Sequence, residues 1–246
     1  MAGHSKWANI KHRKGRQDAL RGKMNTKLIR EITVATKEAG GDPDANPRLR
    51  LAIDKASRAN VTKDSIKRAI DKGLGNTDGA DYQAVRYEGY GPQGVAVLVF
   101  CLTDNKNRTV AEVRHAFNKY GGNLGTDGSV GYLFNRQAKV VITGSVDDDM
   151  IMLHALDCGA DDVSAGEADD QVVLTCEANQ LSEVVNAMQE HGYTILHADQ
   201  HWVADMMQAL DEAATEKLMV LYDALIELDD VQSVFTNADL GQTFID

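Results

Sequence analysis

The chain has 246 residues, of which 43% are hydrophobic and 26% charged, and a formal net charge of −11. That composition excludes global disorder, and no run approaches the roughly 18 apolar residues that span a bilayer. Three widely spaced cysteines (Cys101, Cys158, Cys176), with no CxxC pair, exclude a disulfide framework or thiolate zinc site and suit a reducing compartment.

Residues Met1–Arg30 carry nine Lys/Arg against the single acid Asp18. Residues 1–73 sum to +10 and the remainder to −21, so a basic head is joined to an acidic body. Solubility alone does not sort charge to opposite ends of a chain; a polyanion-binding head does. The sign changes at the Gly-rich passage Gly73–Gly79, which reads as a linker. Before Gln17 there is little apolar periodicity and no apolar core of a secretory signal, so this stretch reads as an arm and the chain as cytoplasmic.

From about Gln17 to Ala39, Leu20, Met24, Leu28, Ile32, Ala35 and Ala39 form one stripe of an amphipathic helix. Lys23, Lys27 and Arg30 fall off that stripe and are expected to project to solvent or ligand. Gly40-Gly41 and Asp42-Pro43 stop the helix. Asn46 and Pro47 read as cap and first residue of a second helix, with Leu49, Ile53 and Ala56 inward. Thr62 caps a third, with Ile66, Ala69 and Ile70 inward, and Gly73 ends it. Such short helices must bury their stripes on one another.

From Val85 the period changes to that of strands. An alternating strand (85–90), a turn at Gly91–Gly94 and an apolar β-branched strand (95–102) lead into a helix capped by Asn107. Its inward face is Val110, Val113, Ala116, Phe117 and Tyr120. Gly121-Gly122 ends it, and Val130–Phe134 reads as another strand. Then come a strand at 140–143, a helix from Asp147–Asp149 to Cys158, a strand at 172–176, a helix at 181–191 and a strand at 193–203. A strong amphipathic helix (212–228) and a strand (231–235) close the chain. This order predicts α+β architecture: an N-terminal three-helix domain followed by two α/β units of split β-α-β, ferredoxin-like kind.

Motifs for chemistry are sparse. The Gly-rich loop 121–129 follows a helix and enters a strand, the reverse of a dinucleotide site, and lacks the Lys-Ser/Thr ending of a P-loop. Asp147–Asp149 opens a helix, where negative charge offsets the dipole, while Asp161-Asp162, Asp169-Asp170 and Asp229-Asp230 read as solvated loop charges. His197 and His201 share a face but lack a third zinc ligand. No nucleophile elbow, HExxH or calcium loop is present, so no catalytic residue, metal or cofactor is expected. The candidate nucleic-acid contacts are Lys6, Trp7, Lys11, His12, Arg13, Lys14, Arg16, Arg21, Lys23, Lys27, Arg30, Arg48, Arg50, Lys63, Lys67 and Arg68. Their cations neutralise phosphates and Trp7 either stacks on a base or packs on the helices. No base-reading pattern accompanies them.

Five strings together resemble the YebC family: MAGHSKWANIKHRK (1–14), DPDANPRLR (42–50), YEGYGPQGV (87–95), NRTVAEVRHAF (107–117) and GGNLGTDGSVGYLF (121–134). The resemblance implies three domains in a cytoplasmic bacterial protein: the N-terminal three-helix domain (1–76) plus two ferredoxin-like α/β domains, one inserted in the other, with 77–135 and 200–246 forming the discontinuous domain and 136–199 the insert. It also implies a non-enzymatic, DNA-binding transcriptional regulator. Mitochondrial relatives are known as translational activators, so the alternative is a translation factor on ribosomal or transfer RNA, with the ribosome as partner.

Overall fold

The computed structural model describes residues 22–76, 81–143, 148–166, 168 and 170–239. They form two compact units. The first takes the chain up to Tyr87 with Val99–Tyr120 and Met219–Val234; the second takes Glu88–Leu98, Gly121–Leu218 and the chain from Phe235.

The first unit opens with three helices: α1 (22–39), α2 (Pro47–Arg58) and α3 (Lys63–Gly73). Their stripes meet in one core of Ile32, Ala35, Leu49, Ala52, Ala56, Ile66 and Ala69, flanked by Leu28, Ile29, Ile53, Val61 and Ile70. Asn46 is buried and does three jobs. Its Oδ1 accepts the Leu49 N–H at 3.0 Å, while Nδ2 donates to the Ala35 and Gly40 carbonyls at 2.8 Å. The cap of α2 thus also ties it to the end of α1. Gly73 is the last helical residue of α3, but its reason is proximity: a Cβ there would lie 2.6 Å from the Thr33 carbonyl oxygen.

A four-stranded sheet has the order β3-β1-β2-β9, from β1 (Gln83–Tyr90), β2 (Ala96–Thr103), β3 (Asn123–Leu124) and β9 (Val231–Thr236). Strand β2 is apolar and almost wholly buried, as its β-branched run requires. Helix α4 (Lys106–Lys119) is capped by Asn105, whose side chain accepts the Arg108 N–H, and not by Asn107. Val113, Ala116 and Phe117 form its buried face.

The expected strand at Val130–Phe134 is a 3-10 turn over Gly131–Leu133. The buried Glu88 carboxylate accepts the N–H groups of Val130 and Gly131 at 2.8 and 2.6 Å, removing two donors that a strand would need. Strand β4 therefore begins at Phe134 and runs to Thr143.

In the second unit, β4, α5 (Asp148–Asp157), β5 (Asp162–Ala165), β6 (Gln171–Glu177), α6 (Leu181–Glu190) and β7 (Thr194–Ala204) follow in that order. They build an antiparallel sheet, β5-β6-β4-β7, in the ferredoxin-like β-α-β-β-α-β succession. Alternate residues Ala138, Val140, Ile142, Leu174 and Cys176 are buried, as are Ile151, Ala155, Leu181, Val184 and Met188 on the helices. Asp162 opens an edge strand where a loop was expected; only Val163 among its four residues is even partly buried, so no alternating signal exists to read. Helix α7 (Glu212–Ile226) precedes β9, and short strands β8 (Gln208–Ala209) and β10 (Ala238–Asp239) pair in parallel.

Candidate nucleic-acid interface

Half of the candidate contacts, Lys6, Trp7, Lys11, His12, Arg13, Lys14, Arg16 and Arg21, lie outside the described residues. The structure places the other eight, and it sorts them into two groups.

Lys23, Lys27 and Arg30 do not simply project outward. One helical turn apart on α1, they reach the carboxyl end of α7. Lys23 Nζ donates to the Glu227 carbonyl at 3.0 Å, Lys27 Nζ to the Ile226 carbonyl at 2.8 Å, and Arg30 Nη1 to the Asp229 carbonyl. A helix end leaves carbonyls unpaired at the negative pole of its dipole, and α7 has no basic residue in its own last turn. Helix α1 supplies the missing cations. Burial, then the neighbouring charge of Lys23, lowers the Lys27 pKa, the mark of an ammonium held out of water.

Beside this cap lies Asp230, whose side chain is 2% exposed. Its Oδ1 accepts from Arg30 at 2.9 Å, and its Oδ2 accepts from Arg108 at 2.7 Å, Thr109 at 2.8 Å and Thr103 at 3.1 Å. Burial alone would raise the carboxyl pKa; hydrogen bonds from Arg108, Thr109 and Thr103 outweigh it, and the net pKa is lowered. The reading of Asp229-Asp230 as solvated loop charges therefore fails at Asp230. Arg108 also holds Asp104 at 2.9 Å. Arg30 lies 5.1 Å from the centre of the Tyr82 ring, and Lys72 lies 4.8 Å from it. Nearby Cys101 is buried, and burial, then the Asp230 charge, pushes its thiol up to about 12; it is an inert core residue.

Arg48 is likewise committed. Its guanidinium holds Glu31 at 2.9 Å and also pairs with Glu38, stapling α2 to α1. Arg50, Lys63 and Lys67 have no hydrogen-bond or ion-pair partner among the described residues. Lys63 and Lys67 share one face of α3, both exposed, and among the described residues Arg68 beside them bonds only its own helix, to the Asp64 carbonyl and Ser65. Lys63 sits in the first turn of α3 beside Asp64, and the first turn of α2 contains no acid. Cations at the positive end of a helix are unfavourable for the helix and favourable for a bound anion.

His197 and His201 lie on β7 opposite Val141 and Gln137, and His197 Nε2 sits 3.3 Å from Asp199. Among the described residues, no three His, Cys, Asp or Glu converge to hold a metal. Nor is any described helix long and apolar enough to cross a membrane.

Comparison with known proteins places these elements in a family. Residues 5–76 match the profile of the TACO1/YebC protein N-terminal domain, and residues 82–238 match that of the TACO1/YebC second and third domain. The chain belongs to the TACO1/YebC family. It is 56% identical to the probable transcriptional regulatory protein of Methylococcus capsulatus over 100% of this chain and 98% of that one. It is 53% identical to the probable transcriptional regulatory protein of Nitrosococcus oceani over the same shares. Among solved structures it resembles a conserved hypothetical protein, Aq1575, from Aquifex aeolicus, with TM-score 0.81 and 42% identity over 93% of this chain and 94% of that one.

Proposed function

We propose that the chain is a non-enzymatic, cytoplasmic nucleic-acid-binding regulator of gene expression, acting as a DNA-binding transcriptional regulator. It is organised as a helical domain (1–76), a discontinuous α/β domain (77–135 with 200–246) and an insert (136–199). The observation that carries the reading is the surplus of cations on the helical head. After Lys23, Lys27, Arg30 and Arg48 are assigned to holding the fold, Arg50, Lys63 and Lys67 remain unpaired among the described residues. The relatives' names, as transcriptional regulatory proteins, agree with it.

Phosphate contacts set affinity and position without choosing a sequence. The cations therefore serve RNA as well as DNA, and the choice is made by experiment. Changing Arg50, Lys63 and Lys67 together to Ala is expected to weaken duplex DNA binding roughly 10-fold or more near 0.1 M salt. It should also lower the slope of log K against log salt by about 0.9 per lost contact. Arg48→Ala, whose guanidinium is already neutralised by two carboxylates, is the control and should leave that slope unchanged. Fluorescence anisotropy across a salt series reads both. An unchanged triple variant would sink the electrostatic reading. Loss of ribosome co-sedimentation with DNA binding intact would move the function to translation.

A further inference from the structure

Helix α5 carries an anomaly that the fold does not need. Ile151 and Ala155 are its buried face. On the opposite face Met152, Leu153 and Leu156 are 50–55% exposed, with Met150 at the edge at 41%. Single exposed apolar residues are ordinary; four on one ten-residue helix are a patch. Methionine suits such a surface, because an unbranched thioether adapts to a partner's shape.

The patch is bracketed by charge of one sign. Asp149 and Asp157 lie one turn before and after Leu153 on the same exposed face. Burial, then the charges of Asp157, Glu183 and Glu190, raises the Cys158 thiol, so three carboxylates gather at the carboxyl end of α5, where the helix dipole is also negative. The wider surroundings agree: between Lys139 and Lys217 the chain has 17 Asp/Glu and no Lys or Arg. The platform is also anchored. His154 Nδ1 lies 3.0 Å from the Tyr193 hydroxyl, and its ring stacks on His191 at 3.9 Å, joining α5 to the end of α6.

We infer that the exposed face of α5 is a docking surface for a basic amphipathic helix of a partner protein, Leu/Met/Phe on one side and Lys/Arg along its flanks. The apolar strip takes the partner's apolar stripe, and the acidic rim selects its charge. A second copy of this chain is a poor occupant, since pairing two such faces would set Asp149 and Asp157 against carboxylates. Nucleic acid is poorer still, because a stretch with no cation repels phosphate. This surface is independent of the cations on the helical head.

The test uses the full chain and a fluorescein-labelled 18-residue helical peptide with Leu on one face and Lys on the other. Saturable binding is expected, at least 10-fold weaker for a Met152→Gln, Leu153→Gln, Leu156→Gln variant. An Asp149→Asn, Asp157→Asn variant should bind more weakly at low salt and lose much of the salt dependence. The Gln positions are exposed, so that variant should match the parent chain in circular dichroism and thermal midpoint, while the Asn variant, which removes an acid from the first turn of α5, should keep the parent's circular dichroism with a slightly lower midpoint. A scrambled peptide of the same composition, lacking an apolar face, should bind far more weakly. Several results would overturn the inference. They are equal binding of the scrambled peptide, insensitivity to the α5 variants, or displacement of the probe by a peptide of residues 1–21. A parent-chain dimer abolished by the Gln variant in analytical ultracentrifugation, or an α5 variant that loses nucleic-acid binding, would overturn it too.

Discussion

Asp230 shows how much one side chain can carry without any local signal of its importance. It follows Asp229 in a polar turn, yet only the second of the pair is buried, between two arginines and two threonines. Removing its charge takes the only carboxylate from the mostly buried Arg30 among the described residues, while Arg108 keeps Asp104, so Asp230→Asn is expected to cost about 1–3 kcal/mol, the scale of a buried group losing a charged hydrogen-bond partner. Urea denaturation followed by circular dichroism measures it. The folded pKa lies below the ordinary 3.8, so the carboxylate's stabilisation is complete above that value and disappears as pH falls through the lower folded value. The gap between parent and Asp230→Asn should therefore stay constant from neutral pH to about pH 5 and narrow below about pH 4. A gap that persisted unchanged at about pH 2 would disprove the assignment.

Among the elements, α1 has two faces with different tasks. Its apolar stripe enters the three-helix core, as periodicity predicts, while its cations close the end of α7, 199 to 204 residues away in sequence. Lys27→Met keeps the aliphatic stem but removes the donor to Ile226. It is expected to lower thermal stability by about 0.5–1 kcal/mol, a typical helix-dipole contribution. Gly73 supplies a sharper case. It reads from sequence as the residue that stops α3, and the helix does end there; the left-handed residue beyond the cap, however, is Gly75, with φ of +77°. Gly73 is small because α1 passes too close for a Cβ, so Gly73→Ala should cost about 1–3 kcal/mol as an overpacking change. Gly75→Ala should be destabilising for a different reason, backbone strain. Thermal denaturation combined with hydrogen exchange separates them: the Gly73 variant should lose protection in α1 and α3 together, the Gly75 variant at the end of α3 alone.

Over the whole molecule, charge is the dominant pattern. The chain has a pI near 5.1 and a net charge of −11, although its first 73 residues sum to +10. The proposed binding of a polyanion would thus work against the repulsion of the acidic remainder. Near 0.15 M salt, where charges are screened beyond about 8 Å, that repulsion weakens along with the phosphate contacts, so duplex affinity should fall less steeply with salt than the phosphate contacts alone dictate. Anisotropy titrations across a salt series check it. Local pattern alone determined the three helices of the head, the buried strand β2, the strands and helices from β4 to β7 other than β5, the cap at Asn46 and the charge of +10 on the first 73 residues. Each follows from periodicity, capping chemistry or net charge, which are properties of neighbours in sequence. Tertiary structure alone decided that Glu88 converts an expected strand into a turn, that Asp230 is a buried hub, and that Lys23, Lys27, Arg30 and Arg48 hold the fold while Arg50, Lys63 and Lys67 have no partner among the described residues. A cation's sign is written in the chain, but whether it is already neutralised depends on which distant carboxylate or carbonyl folding brings within 3 Å of it.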